Sequence, residues 1–260
     1  MIYFQHDILL SCWLWYDGTK TKGRNNRMIR NYADFLKTLL SAGFSMAGGG
    51  TNGIYAVIDW GWNDALPYDT PIRWHTGDPD TDPWEWRIRV LDERNDIAYA
   101  KLFFKKSGFI TKEWYPYFLA SRRGSTFFAE AYEDGTISHV AKRVYDVVTE
   151  NGAMPTHLIR QVAGFSAKED KSAFDKALTE LQMRMYLTMC GKAYKTAKQA
   201  EGNCWASTVL CTTESFFGEE IFAHVDGITK ENAVKKVREQ ILLLNPNAQD
   251  KKISKFILGG

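Results

Sequence analysis

Between Ile137 and Thr213 the apolar positions change their period in a way that predicts three helices followed by a two-stranded ribbon. Ala141, Val144, Tyr145 and Val148 recur at three- and four-residue steps behind Ser138, the stripe of a helix with one buried face. Asn151-Gly152 ends it, since both residues tolerate a left-handed backbone. Pro155-Thr156 opens a shorter helix with Leu158, Ile159 and Val162 inward and Gly164 as its stop. Ser166 and Glu169 have capping-box spacing ahead of a third helix, which carries Phe174, Leu178, Leu181 and Met185. Two β-prone apolar runs follow, Tyr186–Cys190 and Trp205–Thr213, separated by a polar loop with Lys192, Tyr194, Lys195 and Lys198. Three helices and then a ribbon with a basic tip is the order of a winged helix-turn-helix. In that reading the third helix, with Lys171 near its start, enters a DNA major groove, and Lys192, Lys195 and Lys198 lie along phosphates.

The front of the chain has a different texture. Tyr32, Phe35, Leu36, Leu39 and Leu40 predict an amphipathic helix closed by Ala42-Gly43. Phe44–Met46 leads into a glycine-rich run, Gly48 to Gly53, after which Ile54–Asp59 alternates like a strand. A phosphate-binding P-loop needs Gly-Lys-Ser/Thr before a helix. With a strand expected next, a tight hairpin loop is the preferred reading. Asn63 to Pro83 is irregular and proline-rich, a long surface loop. Asp82 then caps a helix with Pro83 at its first position, and Glu85, Arg89 and Glu93 space out a charged ladder along it. Ile97–Phe104 reads as a strand turned by Lys105-Lys106-Ser107-Gly108. Thr111 is expected to cap a helix carrying Trp114, Tyr115, Phe118 and Leu119, and a short helix runs from Phe127 to Tyr132. Beyond the ribbon, Phe216–Val225 is an apolar segment expected to pack back on the core. Lys230–Leu244 and Asp250–Leu258 are helical by period, with Pro246 between them.

The fold class expected is thus α+β, with a winged helix-turn-helix in the C-terminal half and an aromatic-rich α+β N-terminal half. Residues 1–27 form a leader set apart by the polar, basic run Asp17–Arg27, and Met28 is an alternative start. Residues 28–136 form the aromatic-rich region, 137–213 the winged helix and 214–260 a C-terminal helical region. At 260 residues the chain buries a core without staples, and a hydrophobic content of 45% with 25% charged residues is that of an ordinary globule. A net charge of +2 excludes a polybasic tail; from His139 to Glu201, ten Lys and Arg face seven Asp and Glu, only mildly basic. Cys12, Cys190, Cys204 and Cys211 form no CxxC pair, so no metal site is expected, nor any other cofactor. The absence of a transmembrane-length run and of a signal-peptide pattern points to the cytoplasm and away from a membrane.

Eight of the nine tryptophans lie between Trp13 and Trp114, and this draws attention to the front half as a site. Trp62, Trp84, Trp86 and Tyr115 are candidate planes for stacking an unstacked base, with Arg87 and Arg89 beside them for DNA. Asp59 and Glu93 are candidate catalytic carboxylates, able to position water or stabilise an oxocarbenium-like sugar as a base departs. The bland alternative is an aromatic core with a surface ion-pair ladder.

The runs Trp84–Arg94, Ile97–Lys101 and Phe109–Pro116, leading into the predicted winged helix, resemble bacterial proteins related to the AlkZ-type DNA glycosylases. The resemblance covers most of residues 28–260, and it is to a related branch more than to the enzymes. It implies winged-helix architecture, double-stranded DNA as partner, and metal-free excision of alkylated bases. The enzymes carry a Gln-x-Gln or Gln-x-Asp signature. This chain has no Gln-x-Gln, and its one Gln-x-Asp is Gln5-His6-Asp7, inside the leader. Two rivals therefore stand beside a repair-related DNA-binding protein: a non-catalytic DNA-binding regulator, and a small-molecule or protein-binding module built on the tryptophan cluster.

Overall fold

The computed structural model describes residues 28–165, 170–194 and 206–260. The first helix, α1 (Tyr32–Ala42), begins where the Asn31 side chain accepts the Asp34 N–H, and it buries Tyr32, Phe35, Leu39 and Ala42. Gly43 ends it at a φ of 86°, where a Cβ would lie 2.2 Å from the Trp114 ring. Strand β1 (Phe44–Met46) follows, and after the long loop comes α2 (Pro83–Glu93). The hairpin of β2 (Ile97–Phe103) and β3 (Lys106–Thr111) turns through Phe104 and Lys105, both left-handed at φ 52° and 62°. Positive φ at both loop residues suits the right-handed twist of the strands.

Two front-half expectations are corrected here. Ile54–Asp59 is not a strand: Ile54, Ala56, Val57 and Ile58 are all buried, so its side chains do not alternate between core and solvent. The Val57 N–H goes to the Ser45 hydroxyl, and only a lone bridge joins Ala56 to Met46. The partner of β1 is β3, in antiparallel register from Phe44↔Ile110 to Met46↔Gly108. Lys106–Thr111, expected as a turn and a helix cap, is itself that central strand, and α3 (Tyr115–Arg122) starts without a side-chain cap.

The period-2 rule sorts the strand residues up to Leu102, and Phe103, past the register shift in β2, joins the same core as Leu102. Ala98, Ala100, Leu102 and Ile110 face one core with α3 and the last two helices; Ile97, Tyr99 and Phe109 face another with α1 and α2. The chain continues through α4 (Phe128–Glu133), α5 (His139–Asn151), β4 (Met154–Pro155), α6 (Thr156–Val162) and α7 (Lys171–Met183). It then forms β5 (Leu187–Ala193) and β6 (Ser207–Thr212). A third core gathers Ala141, Val144, Val148, Ile159, Phe174, Leu178 and Leu181 from α5, α6 and α7 against Leu187 and Leu210. Of the inward set expected on α6 only Ile159 is buried; Leu158 and Val162 are 39% and 57% exposed, because a helix of under two turns offers the core one position. The Ser166–Glu169 capping pattern lies outside the described residues.

The six strands among the described residues form one antiparallel sheet in the order β1-β3-β2-β5-β6-β4. Tyr99↔Met189 joins β2 to β5, so the sheet runs across the 136/137 boundary read from the sequence. Short helices α8 (Thr213–Phe217) and α9 (Glu220–Ala223) fold Phe217, Ile221 and Val225 back into the first core. The final helices α10 (Lys230–Leu244) and α11 (Asp250–Leu258) have the bounds their apolar periods predict.

Candidate nucleic-acid interface

Two concavities gather positive charge, one around Lys171 and one around Arg87. The first is a groove of about 750 Å³ along the outer face of α7, lined by Lys105, Lys171, Asp175, Lys176, Thr179 and Glu180. Phe174, Leu178 and Leu181 turn the opposite face of α7 into the core, which leaves this polar stripe outward. Glu180 is already engaged, accepting from Ser138 Oγ at 2.8 Å and lying 3.7 Å from Arg184. Among the described residues no ion pair engages Lys171, Lys176 or Lys192, the last exposed on β5. Lys195 and Lys198 lie outside the described residues.

The second concavity is a cleft of about 210 Å³ at the start of α2, lined among others by Gly48–Gly50, Trp74, Trp84, Arg87 and Lys106. Asp82 builds it. Its buried carboxylate accepts the N–H groups of His75, Thr76, Gly77 and Trp84 within 3.1 Å, tying the proline-rich loop to the helix start. His75, at a φ of 62°, sits 5.0 Å from Trp84, 5.7 Å from Trp62 and 6.3 Å from Trp74 between ring centroids. The Arg87 guanidinium lies 3.3 Å from the Trp84 ring centroid, and its Nε donates to the Trp84 carbonyl at 2.7 Å. That stack fixes a cation at the mouth of an aromatic wall.

The remaining sequence candidates divide between surface and core. Trp62 is 73% exposed at the rim of the aromatic group. Trp86, expected as a stacking plane, is 1% exposed and packs on Tyr32 and Phe35 in the α1/α2 core. Tyr115, expected likewise, is wholly buried with its hydroxyl 3.1 Å from Thr213 Oγ1. Neither offers a ring face to a base, since each is the large side chain that fills its core. Arg89 lies over the Tyr32 ring at 4.0 Å and bonds Glu93 at 2.7 Å, and Asp80 is 3.8 Å away. The hydrogen bond from Arg89 holds the Glu93 carboxyl below the usual range. Asp59 is exposed, and neither it nor Glu93 lines the cleft. Glu93 lies nine positions beyond Trp84, about 13 Å along the helix.

Sequence reading missed Trp74, His75 and the glycine run as parts of one site. Their only local signal was Asp82, read as a cap for α2 alone. It also missed Arg123 and Glu214, joined at 3.2 Å beneath Tyr186. No cluster of three or more His, Cys, Asp or Glu able to hold a metal occurs among the described residues. Among them also, no helix is long and apolar enough to cross a membrane.

A family model described as AlkZ related matches residues 29–258. The chain belongs to the AlkZ-related family. The match spans both halves and every described strand and helix, so the aromatic front and the α5–β6 segment belong to one family unit. No curated protein and no solved structure matches the chain.

Proposed function

We propose that the chain is a double-stranded-DNA-binding protein, with residues 137–213 acting as a winged helix and the chemistry of a DNA-repair glycosylase relative. The observation that carries this reading is the element order α5–β4–α6–α7–β5–β6, with β4 paired antiparallel to β6 beside β5. In a winged helix the third helix is the recognition element and the strand hairpin is the wing. Here α7 presents Lys171 and Lys176 outward, and β5 carries Lys192 toward the hairpin tip. The family membership supports the DNA partner. Duplex binding in low salt should be measurable, and Lys171→Ala with Lys192→Ala should weaken it at every sequence alike. Each lost phosphate contact should flatten the slope of log affinity against log salt by about 0.9. An intact chain that binds no duplex in low salt overturns the reading in favour of a protein-binding module.

The family relation favours base excision as a second reading. Asp59 and Glu93 are its candidate carboxylates, and single-turnover release of an alkylated purine tests it with the intact chain, Asp59→Asn and Glu93→Gln. Release lost in either variant with duplex affinity kept supports catalysis by that carboxylate. No release by the intact chain above the uncatalysed rate leaves a non-catalytic DNA-binding protein, which a cleft lined by Arg87 and Lys106 with no carboxylate already favours.

A further inference from the structure

The glycine run beside α2 was read from the sequence as a hairpin loop, yet no strand follows it, and its own geometry needs another account. From Gly48 to Gly53, five of six residues have a positive φ: 119°, 71° and 130° at the three glycines, 49° at Asn52 and 79° at Gly53. Gly48 is required by packing, because a Cβ there would lie 2.5 Å from the Trp74 ring. Gly49 and Gly50 are not: an added Cβ at either would meet nothing within 4 Å. Their glycine identity serves the backbone path alone. Among the described residues the N–H groups of Gly48, Gly49 and Gly50 donate no hydrogen bond. All three glycines line the cleft, where a ligand oxygen can reach their backbone.

The surroundings carry the charge to match. Arg87 and Lys106 both line the cleft, and no carboxylate does. Neither is in an ion pair among the described residues, although Arg89, Arg94 and Lys112 close by in sequence each have one. Arg87 is pinned by its stack on Trp84, and Lys106 Nζ is steered by the Asn52 side-chain carbonyl at 3.0 Å. The Trp74 indole N–H is buried without a partner. Two held cations and a row of unused donors around one cavity describe a receptor for a group with several acceptor oxygens. At about 210 Å³ the cleft is smaller than sites that enclose a whole small ligand, so it suits one group of a larger molecule.

We infer that the cleft formed by Gly48–Gly50, Arg87 and Lys106 binds a phosphate group carried on a nucleic-acid strand. The strand rests on the DNA-binding reading above; the phosphate site does not. The test measures binding of a short single strand with a 5′-phosphate, the same strand with a 5′-hydroxyl, and inorganic phosphate as competitor. It compares the intact chain with Arg87→Gln and Lys106→Ala, and with Lys37→Ala on α1 as a charge control. Arg87→Gln should weaken the occupied contact about tenfold, Lys106→Ala should weaken it in the same sense, and Lys37→Ala should leave it unchanged. Preference for the phosphorylated strand, lost in both cleft variants, assigns a terminal phosphate. Equal binding of both strands, competed by inorganic phosphate and weakened in both variants, assigns an internal one. Binding that ignores Arg87→Gln and Lys106→Ala, or that falls as far with Lys37→Ala, overturns the site while duplex binding through α7 can stand. Phosphate binding that depends on Lys106 in a chain that binds no DNA keeps the site and overturns the DNA reading.

Discussion

Tyr115 shows how little a residue type says about its job before its neighbours are known. Its ring fills the core beneath α3, against Phe217 at 4.6 Å. The Thr213 hydroxyl donates to the Met185 carbonyl at 2.7 Å, so Tyr115 is the donor in its 3.1 Å contact with Thr213 Oγ1. Burial pushes the phenol up to about 12, with Arg123 opposing. A phenol raised in the folded state holds its proton more tightly there than in the unfolded chain. The stability this adds is complete below pH 10, the unfolded value, and is lost as pH rises from 10 through about 12. For so buried a group the total is of order 3 kcal/mol. Tyr115→Phe should keep the core, cost about 1 kcal/mol at neutral pH and remove roughly one proton from the alkaline slope of stability. Urea unfolding at a series of alkaline pH values reads this directly, and an unchanged slope would refute it. Trp86 teaches the same lesson without a charge. Trp and Tyr suit a stacking site and a core equally well, and only the packing around them decides.

At the scale of elements, the site depends on how α2 begins. Asp82 and Pro83 read from the sequence as an N-cap and a first-turn proline, and both hold. What the cap reading understates is reach: one carboxylate also gathers the backbone of residues 75–77, and with it His75 and Trp74. Charge-assisted bonds to backbone N–H groups exceed an ordinary cap in strength. Asp82→Ala should therefore lower stability by about 3 kcal/mol, more than a lost cap alone. It should also release the loop, seen as a change in tryptophan fluorescence from Trp74 and Trp84 and as faster amide exchange at residues 75–77. Asp82→Asn, with one oxygen kept as an acceptor, should fall between the two. Destabilisation of about 1 kcal/mol with the loop unchanged would reduce Asp82 to a plain helix cap.

At the scale of the molecule, the continuous sheet makes one mechanical unit of the aromatic front and the α5–β6 segment. Tyr99↔Met189 is reinforced by Lys101 N–H donating to Gln182 Oε1 at 3.0 Å, from strand β2 to helix α7. Arg122, partly buried, donates to the carbonyls of Met183, Phe256 and Ile257 at the ends of α7 and α11. Burial pushes its guanidinium down to about 10, which leaves it charged at neutral pH against the negative ends of two helices. Such ties predict a single cooperative transition. Near-ultraviolet dichroism, weighted to the front half by its tryptophans, and far-ultraviolet dichroism should give the same melting midpoint. Two separated midpoints would show that residues 28–136 and 137–260 unfold apart.

The sequence by itself determined what local physics can determine. Periods of three and four residues set α1, α5, α7, α10 and α11, and α2 and α5 start at Asp82 and Ser138 as expected, while the Asn31 cap of α1 shows only in the structure. It also carried the AlkZ-related family in the runs from Trp84 to Pro116. The tertiary structure alone decided which strands pair, because Ile54–Ile58 and Lys106–Thr111 are both apolar enough for a sheet and only one is placed beside Phe44. It alone decided that Trp86 and Tyr115 are core while Trp84 and Trp74 line a cleft, since burial depends on residues far away in the chain. The same holds for the cleft itself. Gly48–Gly50, the Asp82–Arg87 stretch and Lys106 lie on separate segments, and no window along the chain contains the contacts that bring them together.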